Sequence, residues 1–207
     1  SAASDVYKRQ DRYAALLKRV QDVERKRTPT ANGVVLAVAK NAFKLMAYKD
    51  EYEVARLFSD GSFIKKIKQQ FEGDYKIEFN LAPPLISKKD PITGQLKKRT
   101  FGPWMMNAFR LLAKLKVLRG TAFDIFGKTE ERKTERNLIE QYFGLVDMVL
   151  SNLNNENHQT SIELLSLPEQ IRGYGHVKEK AIKMVKSKER QLLERFIHPE
   201  LSRTAAE

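Results

Sequence analysis

The chain has 207 residues, 42% hydrophobic and 31% charged, a composition that can build a folded core and does not indicate disorder. It has no cysteine, which excludes disulfides, cysteine nucleophiles and thiolate-bound zinc or iron–sulfur sites within these residues. The net charge of +12 favours a polyanionic partner, although a solvated lysine-rich surface accounts for the same charge.

The first ten residues, SAASDVYKRQ, are set apart from the fold. Residues 5–10 back-translate to GATGTGTATAAGAGACAG, which resembles the transposon-end adapter used to prepare sequencing libraries. We therefore expect residues 1–10 to be a non-native sequencing or assembly scar, and the native frame to have been cut before Asp11. An ordinary N-terminal tail is the alternative.

The sequence up to residue 74 predicts helices. Residues 11–27 place apolar side chains at three- and four-residue steps, which is the period of an amphipathic helix. Pro29 and Gly33 interrupt that pattern. One long helix is then predicted from residue 30 or 34 to residue 58, followed by a short helix at 63–72.

The period changes at residues 75–81, where YKIEFNL alternates apolar and polar side chains as a half-buried strand does. Pro83-Pro84 ends this strand, and the DPITG turn at 90–94 reverses the chain. Residues 95–101 then return as a second strand. The pattern predicts one small β-hairpin element at about 75–101.

The second half of the chain predicts helices at 104–119, 129–153, 156–166 and 176–197. We therefore expect a mainly α fold of six to seven helices with one small β-hairpin element. Residues 11–198 are predicted to form a single helical domain, with a frayed tail at 199–207. No apolar run reaches the ~18–20 residues of a membrane span and no signal peptide is present, so a cytoplasmic protein without membrane contact is expected.

The segment YKDEYEVARL at 48–57 gathers three carboxylates. Helical spacing makes Lys49–Glu53 and Glu53–Arg56 exposed ion pairs. Asp50, however, falls in the apolar stripe of the predicted long helix, where an unpaired carboxylate would cost several kcal/mol. We expect Asp50 to be a buried charge that needs a partner, in a structural salt bridge or cap, with a ligand or interface role as the alternative. An enzyme using Asp50 and Glu53 would need a pocket holding both groups, and the predicted helix points Glu53 away from the core.

The histidines do not form a metal motif. None of His158, His176 and His198 has an HExxH-type companion, so no metal site is predicted. The segment RGYGH at 172–176 places two glycines before a helix start. Arg172, His176 and Lys178 lie there beside backbone amides that suit an anion. Anion binding and a plain turn with a helix cap both remain open for these residues.

The segment KKRTFGPW at 97–104 mixes basic and aromatic side chains. Lys97, Lys98 and Arg99 next to aromatic rings fit a nucleic-acid surface. Alternatively, Phe101 and Trp104 are core anchors where a strand meets a helix. No Gly-x-Ser-x-Gly elbow, P-loop or Rossmann fingerprint is present, so no catalytic residue is predicted.

Three segments resemble one family: AVAKNAFKLMAYKDEYEVARL (37–57), FNLAPPLISKKDPITGQLKKRTFGPWM (79–105) and LPEQIRGYGHVKE (167–179). Together they resemble the C-terminal domain of fused indolepyruvate ferredoxin oxidoreductases, as does the stretch LLAKLKVLRGTAFDIFGKTEERKTERNLI between them. The resemblance runs in the expected order from about Asp11 to Phe196.

The resemblance implies a parent enzyme that oxidatively decarboxylates aryl 2-oxoacids. Such enzymes use thiamine diphosphate, pass electrons through a 4Fe–4S cluster to ferredoxin, and transfer the acyl group to coenzyme A. The thiamine-binding Gly-Asp-Gly run and the cluster cysteines do not occur in this chain. No cofactor and no catalytic residue is therefore assigned to it.

The resemblance thus implies an accessory domain that is itself non-catalytic. Its expected partners are other domains of the same polypeptide, a second protomer of a homo-oligomer, and acidic ferredoxin or CoA phosphates, which basic surface residues would attract. The alternative is a stand-alone basic helical module that binds nucleic acid. Steep salt dependence of binding would distinguish that module.

Overall fold

The computed structural model describes residues 2–48, 50–82, 87, 90, 97–119, 121, 123–173 and 175–198, with side chains from residue 7 onward. This part of the chain contains eight α-helices and one two-stranded antiparallel sheet, which confirms the predicted mainly α fold with a small β element. The helices are α1 Ala2–Arg27, α2 Val34–Met46, α3 Glu51–Ser59, α4 Ser62–Gln70, α5 Met105–Lys114, α6 Glu130–Asn152, α7 His158–Ser166 and α8 Gly175–Ile197. The strands are β1 Phe79–Leu81 and β2 Arg99–Phe101, and 3₁₀ turns cover Leu115–Leu118 and Leu167–Gln170.

Backbone contacts divide the chain into two compact units, one inserted in the sequence of the other. The helical unit comprises residues 3–48 and 130–207, and the main segment of the hairpin unit is residues 49–129. The prediction of one domain over 11–198 stays a prediction, because a division by contacts does not show independent folding. None of the described helices is long and apolar enough to cross a membrane.

The helical unit packs α1, α2, α6, α7 and α8 around one hydrophobic core. Its centre consists of side chains with no solvent exposure: Val20, Val34, Val38, Ala42, Val146, Val149, Leu164 and Leu165. Within α2 and α6 these side chains recur at three- and four-residue steps. Burying such stripes stabilises each helix beyond its intrinsic propensity.

A buried glutamate joins three helices of this unit. Glu24 of α1 is 5% exposed, and its two carboxylate oxygens accept the backbone N–H groups of Val34 at 2.8 Å and Val35 at 3.0 Å. One of these oxygens also lies 3.0 Å from Nε2 of His158, the first residue of α7. Because the residue before α2 is Gly33, which has no side chain to cap it, Glu24 satisfies the helix start instead.

The hairpin unit has a smaller, aromatic core. Its buried members are Ala55, Phe79, Met105 and Phe109, drawn from α3, β1 and α5. Phe58 stacks on Phe109 with ring centroids 5.1 Å apart and meets Phe79 edge to face at 5.7 Å. In the sheet, Phe79 pairs with Phe101 and Leu81 with Arg99. Aromatic contacts across strands and helices therefore hold this unit together.

The predicted long helix from residue 30 or 34 to 58 is wrong. The first helix of that stretch, α2, ends at Met46, and Asp50 is extended, with φ −89° and ψ 175°, so that α3 begins at Glu51. The Asp50 side chain accepts the Glu53 N–H at 2.8 Å, which is the N-cap geometry that aspartate favours over a helix interior. The helical spacing of apolar residues continues across this break. The sequence pattern therefore gives no sign that the helix ends at Met46.

The ends of some other elements differ from the predicted ones. Residues 75–78 are not in a strand, so β1 is shorter than predicted. Pro83-Pro84, the turn at 91–94 and the tail at 199–207 lie outside the described residues. Residues 2–10 form the first part of α1, and their origin as an assembly scar stays a prediction.

Candidate functional site

Asp50 is held by an arginine of its own unit. Nη2 of Arg119 donates to Oδ1 of Asp50 at 2.7 Å, and Nε of Arg119 lies 2.6 Å from Oδ2. The two side chains are 13% and 18% exposed. An ion pair of this kind, here with one hydrogen bond, neutralises a largely buried carboxylate. Since both oxygens are engaged, Asp50 acts here as a cap and an ion-pair partner rather than as a free base.

Tyr52 of α3 makes a second buried polar contact. The Tyr52 hydroxyl donates to Oδ1 of Asp124 at 3.3 Å, and the same oxygen accepts the Gly127 N–H at 2.8 Å. Burial, followed by the charge of Asp124, raises the pKa of Tyr52 to about 12. Tyr52 is therefore neutral and a hydrogen-bond donor at neutral pH. A side chain at Gly127 would meet the Asp124 carboxylate, which would have to shift to make room for it.

The predicted Glu53–Arg56 pair is confirmed, with Nη2 of Arg56 2.8 Å from Oε1 of Glu53. The hydrogen bonds from Arg56 lower the pKa of Glu53. Lys49, its other predicted partner, lies outside the described residues. An enzyme built on Asp50 and Glu53 is disfavoured, because arginines engage both carboxylates.

The basic segment, defined as Lys97, Lys98 and Arg99, is exposed at every position. Its only ion pair within the described chain is a long one, with Nζ of Lys97 3.7 Å from Oδ2 of Asp90. The hairpin that carries it is fixed by a hydrogen bond of 2.8 Å from the Thr100 hydroxyl to Oδ1 of Asn80. These three charges are therefore available to a partner.

The aromatic neighbours of the basic segment have different roles. Phe101 is partly buried against the hairpin unit's core. Trp104, which was also a candidate core anchor, is 60% exposed, and that alternative is wrong for it. Its ring meets Phe101 edge to face at 5.9 Å. An exposed tryptophan beside exposed cations is a typical feature of an interaction surface.

The candidate anion loop lies in the helical unit, at the start of α8. Gly173 and Gly175 have φ of 91° and 54°, so the turn uses the conformation that glycine tolerates best. Lys178 forms an ion pair with Glu135 in which both side chains are largely buried. Nε of Arg172 donates to the Glu169 carbonyl at 3.2 Å, and His176 is half-buried. Of the three predicted residues, Arg172 is the exposed cation.

Sequence reasoning missed another cation at this loop. Lys44, near the end of α2, donates to the carbonyls of Pro168 at 2.8 Å and Glu169 at 2.9 Å. Its pKa is lowered, first by burial and then by the positive charge of Arg172. No local pattern marks Lys44, because its role depends on the packing of α2 beside residues 124 positions away.

Within the described residues, no group of three histidine, aspartate or glutamate side chains could hold a metal ion. A protein-family model described as a family of unknown function matches residues 10–191, which cover most of both units. No curated protein and no solved structure matches the chain.

Proposed function

Since this chain belongs to DUF6537, a family of unknown function, we propose that it is a non-catalytic docking domain whose basic segment binds an acidic protein. The observation that carries the proposal is the exposure of all three cations of that segment on a hairpin pinned by Thr100 and Asn80. Opposite charges on two proteins accelerate their encounter and orient it.

The charge distribution supports this surface. The hairpin unit carries 16 lysines and arginines against nine aspartates and glutamates, a net charge of +7. Several of its carboxylates are already paired internally, among them Asp50 with Arg119 and Glu53 with Arg56. The basic segment therefore faces solvent with little compensation from its own unit.

We propose ferredoxin as the acidic partner and a cytoplasmic 2-oxoacid:ferredoxin oxidoreductase as the parent enzyme. The support is the resemblance of segments 37–57, 79–105 and 167–179 to the C-terminal domain of indolepyruvate ferredoxin oxidoreductases. The second of these segments contains the basic segment. In such a parent, thiamine diphosphate, the 4Fe–4S cluster and CoA would be bound by other domains of a homo-oligomeric polypeptide, against which this domain would pack.

For the anion loop at Arg172, His176 and Lys178, we propose CoA phosphates as the candidate anion. Because Lys178 already forms an ion pair with Glu135, this loop is a weaker candidate for anion binding than the basic segment. Nucleic acid is the other candidate partner of the basic segment, with Trp104 as a stacking ring.

The test is binding of an acidic bacterial ferredoxin to the 207-residue chain at rising salt. We expect binding that weakens with salt, and a loss of about tenfold or more in affinity in the variant K97E/K98E/R99E. The matched control is K65E/K66E/K68E, which reverses three exposed lysines of α4 in the same unit.

Equal losses in the two variants would show an unspecific charge effect and refute the docking surface. Tighter binding of a single-stranded oligonucleotide, with a steep salt slope lost in K97E/K98E/R99E, would favour the nucleic-acid module instead. In a full-length parent enzyme, the same reversal should raise the KM for ferredoxin and flatten its salt dependence.

A further inference from the structure

One side of α5 is apolar and exposed. Trp104, Leu111 and Leu115 are 60%, 62% and 38% exposed. Their spacing of seven and four residues places them on a single helical face that extends over roughly 17 Å. The opposite side of α5 is buried through Met105 and Phe109. We call Trp104, Leu111 and Leu115 the α5 face.

Two cations flank the α5 face. Arg110 and Lys114 are exposed, and Nη1 of Arg110 donates to the neutral amide oxygen of Asn107 at 3.0 Å. Neither of them pairs with a carboxylate of the described residues. The face thus combines an apolar stripe with two positive charges that no carboxylate of the described residues pairs with.

The apolar stripe and the two positive charges together indicate which kind of partner can bind the α5 face. A second copy of the chain would bring Arg110 and Lys114 against their own equivalents, which is unfavourable. A nucleic acid would stack on Trp104 but gain little from two aliphatic side chains. A protein with an apolar contact centre and an acidic rim complements both the stripe and the charges.

The α5 face continues from the basic segment. Trp104 begins the face and contacts the ring of Phe101. Phe101 and Arg99 are the last and first residues of β2. A partner steered by the basic segment would therefore arrive next to Trp104.

We propose that the α5 face is the apolar half of the docking surface, and that it sets how long the acidic partner stays bound. This inference rests on the proposed function, since it concerns the same partner. Exposed charges act mainly on the association rate, whereas buried apolar contacts at an interface act mainly on the dissociation rate. Variants of the basic segment should therefore change mainly the association rate, and variants of the α5 face mainly the dissociation rate.

The experiment measures association and dissociation rates of an acidic bacterial ferredoxin with the full chain by stopped flow. In L111Q/L115Q we expect dissociation to be about tenfold faster, with the association rate and its salt slope unchanged. In K97E/K98E/R99E we expect slower association and a smaller salt slope. The control L36Q changes an exposed leucine of α2, 58% exposed, and should alter neither rate.

Circular dichroism of each variant checks folding, and the single variant L111Q is measured if the double variant unfolds. Unchanged dissociation in a folded leucine variant, with slower association in K97E/K98E/R99E, would overturn this inference and leave the proposed function standing. Unchanged rates in both variants would overturn both. Loss of binding to phosphatidylglycerol vesicles in L111Q/L115Q, with ferredoxin dissociation unaffected, would assign the face to a membrane surface and overturn the inference.

Discussion

At the scale of the residue, Asp50 shows how one carboxylate can satisfy two neighbours. It caps α3 through the Glu53 N–H and neutralises Arg119, a residue 69 positions away. The sequence indicates that a carboxylate in an apolar stripe needs a partner. It does not identify Arg119, because that contact exists only once α3 and the 3₁₀ turn after α5 are packed together.

We expect Asp50→Ala to destabilise the protein by about 2–4 kcal/mol, because it removes the cap and leaves a mostly buried guanidinium unpaired. Asp50→Asn keeps a capping oxygen and should cost less than Asp50→Ala. Urea denaturation at pH 7 measures the free energy of unfolding of each variant.

The control is Glu53→Gln, which breaks the more exposed pair with Arg56 and should cost less than ~1 kcal/mol. Since Arg56 lowers the pKa of Glu53, that small contribution is present at neutral pH. It is lost as the pH falls through the lowered pKa. A cost for Asp50→Ala no greater than that of Glu53→Gln would contradict the role assigned to the Arg119 pair.

At the scale of the element, the helix starts depend on residues from other elements. The first turn of α2 follows Gly33, whose φ is 130°, and its N–H groups are satisfied by Glu24 of α1. His158 of α7 contacts the same carboxylate from a position 134 residues later. One side chain therefore fixes the mutual placement of three helices within the helical unit.

We expect Glu24→Ala to cost about 3–5 kcal/mol, because it leaves two amides and an imidazole nitrogen without their acceptor in the core. Glu24→Gln should cost less, since its amide oxygen replaces one of the two acceptor oxygens. Hydrogen exchange is the direct measurement, and the Val34 and Val35 amides should lose protection.

Glu140→Gln is the matched control for Glu24, because it removes an exposed pair with Arg12 elsewhere in the same unit. It should cost less than ~1 kcal/mol and leave those two amides protected. Equal protection of Val34 and Val35 in Glu24→Ala and the parent chain would refute the capping role.

Local patterns account for part of what the sequence could predict. Apolar periodicity predicts most of the helices and the region of β1, since these signals lie within a few residues of one another. Asp124, Lys44 and Glu24 escape prediction because their partners lie 72 to 134 residues away from them in the sequence, or act through backbone groups. The basic segment is visible in the sequence, but the exposure of Trp104 follows from which face of α5 the small aromatic core covers.

At the scale of the whole molecule, the two units differ in how much core they possess. Among the described residues, the helical unit's cluster holds 20 buried hydrophobic side chains and the hairpin unit's cluster holds four. Small cores rarely stabilise a fold on their own. The hairpin unit carries both halves of the proposed docking surface. We expect it to be less stable than the helical unit when each is expressed alone.

Excision of the hairpin unit tests the single-domain prediction. The Arg132 guanidinium lies 5.5 Å from the centroid of the Tyr48 ring, so a short Gly-Ser linker can join residue 48 to residue 130. We expect the joined chain to keep a helical circular dichroism spectrum and one cooperative urea transition, because its core cluster is complete without residues 49–129. It should no longer bind ferredoxin. A joined chain without a cooperative transition would instead support one domain over 11–198, in which each unit depends on the other to fold.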